Sequence, residues 1–108
     1  MSTLIGIAYS QYEDAIPVLR GINSMRRNVP DATIVFAVDE HAPHPPNYGQ
    51  DAIIRIKGFG VGRARNALAW YAYSHKYDCL ILSDAHVFFT SDLSRLCDKP
   101  FVQPMIVP

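Results

Sequence analysis

Apolar and polar positions fall in blocks along the chain, and the blocks switch between two periods. Thr3-Leu4-Ile5-Gly6-Ile7-Ala8-Tyr9 is a short, almost continuous apolar run, the pattern of a buried strand. Polar Ser10-Gln11-Tyr12-Glu13-Asp14 leaves it, with Asp14 placed to cap a helix and Pro17 tolerated in that helix's first turn. Ile16, Leu19 and Ile22 then recur on one helical face, joined by Val18 and Met25, until Asn28-Val29-Pro30-Asp31 ends the pattern. Gly21 costs such a helix about 1 kcal/mol relative to alanine. Thr33-Ile34-Val35-Phe36-Ala37-Val38 is β-branched, aromatic and apolar, the strongest strand signal in the chain, and Asp39-Glu40 follow its end.

A stiff loop with three prolines spans His41 to Gly49, and a short strand is expected over Ala52–Ile56. Gly58-Phe59-Gly60-Val61-Gly62 reads as a turn. Arg63 to about His75 reads as a helix with Ala64, Leu68, Tyr71, Ala67 and Ala72 facing inward. Cys79-Leu80-Ile81-Leu82 is the next strand, ending at Ser83-Asp84-Ala85-His86. A short helix from Ser91 or Asp92 to Leu96 and a last strand over Phe101–Val107 complete the order. Apolar strands alternating with amphipathic helices predict one α/β domain over residues 1–108 with a mainly parallel sheet. Ligands of such sheets bind beyond the carboxyl ends of the strands. The loops after the first strand, after Val38 and at Asp84-Ala85-His86 belong to that edge.

Composition narrows the class. The 108 residues are 49% hydrophobic and 19% charged, which gives a single domain with its own core and argues against disorder. Ten basic and ten acidic residues cancel, so a general nucleic-acid binder is not expected. No apolar run approaches the ~20 residues of a membrane helix. The first residues carry no basic segment ahead of a long apolar one, so no secretory leader is expected either. Cys79 and Cys97 form no metal-binding spacing. Cys79 reads as a small buried thiol, with a reduced, cytoplasmic setting as the default. Neutrality also hides a division: residues 51–76 carry net +4, and the segments on either side carry −2 each. That arrangement suits a small anion bridged to a metal better than a long polyanion. Solvated helix and loop faces explain the charges more simply.

Three constellations bear chemistry. Asp84 and His86 lie two residues apart at a strand end, hence on one side of the chain, and can share a divalent cation, manganese by the lean of the imidazole or else magnesium. A bound diphosphate and water must then complete the shell. A bare triplet of this kind reads more readily as a capping Asp and a satisfied His; the neighbouring basic, glycine-rich helix start brings the two readings close to even. Gly58, Gly60 and Gly62 precede Arg63 and Arg65, so backbone N–H groups and two guanidinium forks are available to an anion. No Lys-Ser/Thr follows the glycines, so this is not a P-loop; taken alone, the loop is better read as an ordinary turn and exposed helix start. Asp39-Glu40 can accept from a pyrimidine N–H or a ribose hydroxyl, or be plain loop charge. His41 and His44 read as loop residues, His75 as a helix C-terminal residue. Trp70 and Tyr73 read as helix packing or surface, and Tyr9 as core or as the flank of a base.

Taken in order, these pieces resemble the nucleotide-binding half of the GT-A fold glycosyltransferases, the family-2-like group and its polypeptide GalNAc-transferase relatives. The resemblance runs through the first strand and turn (Ile5 to Tyr12), the acid-ended strand Val35–Glu40, the helix start Gly62-Arg63-Ala64-Arg65-Asn66 and the strand ending in DxH, Leu80 to Val87. It implies a Rossmann-like, mainly parallel sheet sandwiched by helices, and metal-assisted transfer of a sugar from a UDP- or GDP-sugar to an acceptor hydroxyl. By that resemblance Asp84 and His86 hold the metal on the donor diphosphate, and Arg63 or Arg65 approaches the diphosphate or base. Asp39 or Glu40 binds base and ribose, and the backbone around Ala8 and Tyr9 borders the base. Glu40 stands where the family usually has Asp. The family's acceptor-binding part, catalytic base and third metal ligand lie downstream of the metal motif, so the chain is expected to lack that part or to gain it from another copy or segment. Two rivals remain: a nucleotide-sugar-binding module without turnover, and a sugar nucleotidyltransferase. The latter needs a glycine-rich basic loop where Ser10-Gln11-Tyr12 stands.

Overall fold

The computed structural model of the chain describes residues 2–58, 60–92 and 97, with only the backbone of Val61. The expected strand over 101–107 and the body of the expected short helix, 93–96, lie outside the described residues. Four strands and two helices are present: β1 (Thr3–Ala8), α1 (Ala15–Asn28), β2 (Thr33–Asp39), β3 (Ala52–Ile56), α2 (Val61–Ser74) and β4 (Cys79–Asp84). The strands form one sheet in the order β3-β2-β1-β4, and every neighbouring pair is parallel. The chain is therefore α/β, with a Rossmann-like parallel sheet between two helices.

Alternation along each strand supplies both layers. Ile5 and Ile7 of β1, Ile34, Phe36 and Val38 of β2 and Ile81 of β4 join the cluster containing Val18, Ile22 and Met25 of α1. Leu4, Val35 and Ala37 point the other way, onto Ala64, Leu68 and Ala72 of α2. Gly6 lets α2 approach β1: a Cβ there would lie 3.0 Å from a Leu68 methyl.

Two expectations need correction. Ile16 and Leu19 are not inner residues of α1; they are 65% and 45% exposed. The buried stripe is Val18, Gly21, Ile22, Ser24 and Met25. A helix entering at Ala15 presents the positions three, six, seven and ten residues on, and this turns Ile16 and Leu19 outward. β4 ends at Asp84, inside the Ser83–His86 end expected for it. It pairs with β1 along its whole length, Thr3 with Cys79 through to Ala8 with Asp84, so Ser83 and Asp84 are strand residues. Cys79 is not a free thiol either. It is disulfide-bonded to Cys97 across a Cα–Cα distance of 5.6 Å, and the inference of a reducing compartment from unpaired cysteines loses its ground. Among the described residues no helix is long and apolar enough to cross a membrane.

The connection from β2 to β3 has no helix. Its proline-rich path packs Tyr48 onto the α1 side of the core. Asp51 fixes its return: the carboxylate accepts from the Ile34 amide at 2.8 Å and from the Arg26 guanidinium at 2.7 Å.

Candidate functional site

The strand order places the site. From β1 the chain steps to β2 and β3 on one side, then returns through α2 to β4 on the other. The crevice between β1 and β4 is thus a switch point, where the loops leaving adjacent strands diverge. A cavity of about 500 Å³ opens there. Its walls include Ala8 to Glu13 after β1, Asp39, His41 and Ala42 after β2, Gly58, Gly60 and Ala64 at the start of α2, and Asp84 and His86 after β4.

Ala8 and Asp84 are direct partners across the β1–β4 ladder, which brings the first loop and the Asp84-Ala85-His86 segment to one edge. Ala85 is fully buried between them, so Asp84 and His86 both face outward into the cavity, as period two requires. Helix α1 holds this segment. Gly21 is pressed against it, and a Cβ there would lie 2.8 Å from the Val87 carbonyl oxygen and 3.0 Å from that of Ala85. The buried Ser24 hydroxyl donates to the Gly21 carbonyl at 2.6 Å and accepts from the Phe89 amide at 2.8 Å. Asn28 donates to the Phe89 carbonyl at 2.8 Å. Positions 21, 24 and 28 follow one helical stripe, so this side of α1 is a seam for the strand-end segment.

The opposite wall is built differently. Gly60 is the N-cap of α2 at φ 122°, and Gly58 sits at φ 85°; both are backbone conformations that favour glycine. Among the described residues no side chain caps α2, and its first turn carries no acid. Its free N–H groups and the positive end of its dipole lie beside the cavity.

Not every expected residue meets the cavity. Ala8, Tyr9, Asp39, Asp84 and His86 line it; Glu40, Arg63 and Arg65 do not. Glu40 pairs with His41 at 3.3 Å on the surface. Arg63 folds back across Gly58 and donates to the Lys57 carbonyl at 3.1 Å. Arg65 is exposed on the first turns of α2. Tyr9 is chiefly core: its ring stacks on Phe36 with centroids 4.9 Å apart, and its hydroxyl lies 3.5 Å from that of Tyr48. Burial, then the Tyr48 hydroxyl, raises the Tyr9 pKa well above the usual phenol range, so it stays neutral. Asp39 accepts from the His41 amide at 2.9 Å, which turns the loop so that His41 joins the wall.

Sequence reasoning missed Glu13 and His41 as wall residues. Glu13 lies 3.6 Å from His86, Oε2 to Nδ1. Nothing local announces that pairing, because the two residues are brought together only by α1 and β4. Among the described residues no three His, Cys, Asp or Glu side chains gather as a metal cluster. Asp84 and His86 nonetheless offer one carboxylate and one imidazole to a single cavity. That mixed oxygen and nitrogen pair fits a borderline cation whose other ligands come from a bound anion and water. No family model, curated protein or solved structure matches the chain.

Proposed function

We propose that the cavity binds a nucleotide-diphosphate sugar, and that the chain supplies the donor-binding part of a metal-assisted glycosyltransferase. One observation carries the reading: Asp84, His86 and the uncapped start of α2 open on the same cavity at the sheet's switch point. A diphosphate needs positive potential and N–H donors on one side and a cation holder on the other, and those two walls supply them. Asp39, at the far end of the cavity, is a carboxylate suited to a base N–H or ribose hydroxyl. Ala8 and the edge of Tyr9 give an apolar border for a base. Asp84 and His86 would hold manganese or magnesium, which when bound supplies Lewis acidity to the leaving diphosphate. The chain's own part is then to bind the diphosphate, orient it along the α2 terminus and stabilise the charge that grows on it.

The test is a thermal-shift screen of UDP, GDP and their sugars with and without manganese, followed by assay for freed nucleotide. Manganese-dependent stabilisation by one nucleotide class is the expected result. Stabilisation without turnover favours a binding module, and no stabilisation by any nucleotide diphosphate overturns the reading.

A further inference from the structure

We propose that Glu13 is a positioning residue for His86. Its carboxylate accepts from Nδ1–H and so fixes the imidazole as the tautomer whose Nε2 is free to bind. Three observations converge. Glu13 Oε2 and His86 Nδ1 are 3.6 Å apart, within reach of a hydrogen bond by a small side-chain rotation. The Glu13 side chain is only 23% exposed while that of His86 is 53% exposed, and among the described residues no Lys or Arg forms an ion pair with Glu13. A partly covered carboxylate gains from a donor, and among the described residues the imidazole is the group that forms an ion-pair contact with it.

The third observation concerns the frame. Glu13 stands at the entrance to α1, its amide donating to the Ser10 carbonyl at 3.1 Å. His86 lies in the segment that Gly21, Ser24 and Asn28 of the same helix hold. Both partners therefore lie beside α1, Glu13 in the turn just ahead of it and His86 in the segment packed on it. Which nitrogen of a histidine is free is decided by the bond the other makes, and carboxylates in that place typically change metal affinity by about 10–100-fold.

The inference rests on the proposed metal reading only for what Nε2 meets; the tautomer itself is independent of it. It is tested in the metal-free protein by ¹⁵N-resolved histidine spectra at a pH where the imidazole is neutral. The wild type and Glu13→Gln, whose amide oxygen can still accept, should show the Nδ1–H form of His86, and Glu13→Ala should move toward the Nε2–H form. In manganese titrations with UDP or GDP present, Glu13→Ala should weaken metal binding about 10–100-fold and Glu13→Gln much less. An unchanged tautomer in Glu13→Ala overturns the proposal. So does a Glu13→Gln variant that keeps the tautomer yet loses metal as fully as Glu13→Ala, since Glu13 would then be a ligand itself. A wild type that takes up no manganese sinks the metal reading instead, and the tautomer then decides on Glu13 alone.

Discussion

The two walls of the cavity are held in opposite ways. The Asp84–His86 wall is fixed by side chains of α1: Ser24 and Asn28 bond the backbone of Phe89, three residues beyond it, and Gly21 gives Ala85 and Val87 room to sit close. The Gly58–Gly60 wall is fixed by backbone conformation. Two glycines at positive φ make the turn, and among the described residues the side chain that reaches across it, Arg63, ends on an exposed carbonyl. Side-chain fastening suits the wall on which we propose that Asp84 and His86 hold a metal in register. A glycine turn suits the wall whose backbone amides we propose meet the diphosphate, which a Cβ would obstruct.

This contrast can be broken by substitution. Gly21→Val should have the largest effect, a loss of about 3 kcal/mol in urea unfolding, because its side chain meets the carbonyls of Ala85 and Val87 with no room to yield. A gain in stability, as helix propensity alone would give, would show that the close approach is absent. Ser24→Ala should cost about 1–3 kcal/mol, since it leaves the Phe89 amide buried without an acceptor. On the other wall Gly60→Ala should cost about 1–2 kcal/mol through backbone strain alone, because no atom lies within 4 Å of the added Cβ. Deleting a side chain there should matter little: Arg63→Ala is expected to change stability by less than about 1 kcal/mol, given that its hydrogen bond is exposed.

The smallest effect belongs to a site remote from both walls. The Ser2 amide, then the Ser2 hydroxyl, hold the Asp78 carboxyl below the usual carboxylate range. Its stabilisation is present above the ordinary Asp pKa and fades as pH falls through the lowered folded value. Asp78→Asn should therefore flatten a shallow acid limb of the melting-temperature profile and leave nucleotide binding unchanged.

Much of the sheet was legible in the sequence because strands buried on both faces read as unbroken apolar runs, and α2 because Ala64, Leu68 and Ala72 repeat at helical spacing. The inner stripe of α1 was not. Ile16 and Leu19 match the hydrophobic period as well as Val18 and Met25 do, and the entry angle of the helix decides between them. Gly21 looked like a cost to its helix; its reason lies in a segment more than sixty residues away. The same holds for the site. Asp84 and His86 announce themselves by spacing at a strand end, whereas Glu13 acquires meaning only once α1 sets it beside His86. Local pattern exposes groups that act together within one element, and long-range packing hides the rest.

The most direct test is calorimetric titration of UDP and GDP into the wild type and Asp84→Ala, each with manganese and with chelator. Manganese-dependent binding of one nucleotide by the wild type, lost in Asp84→Ala and under chelation, is the expected result. Binding indifferent to both the substitution and the chelator, or no binding at all, would contradict the assignment of this cavity to a metal-bridged nucleotide diphosphate.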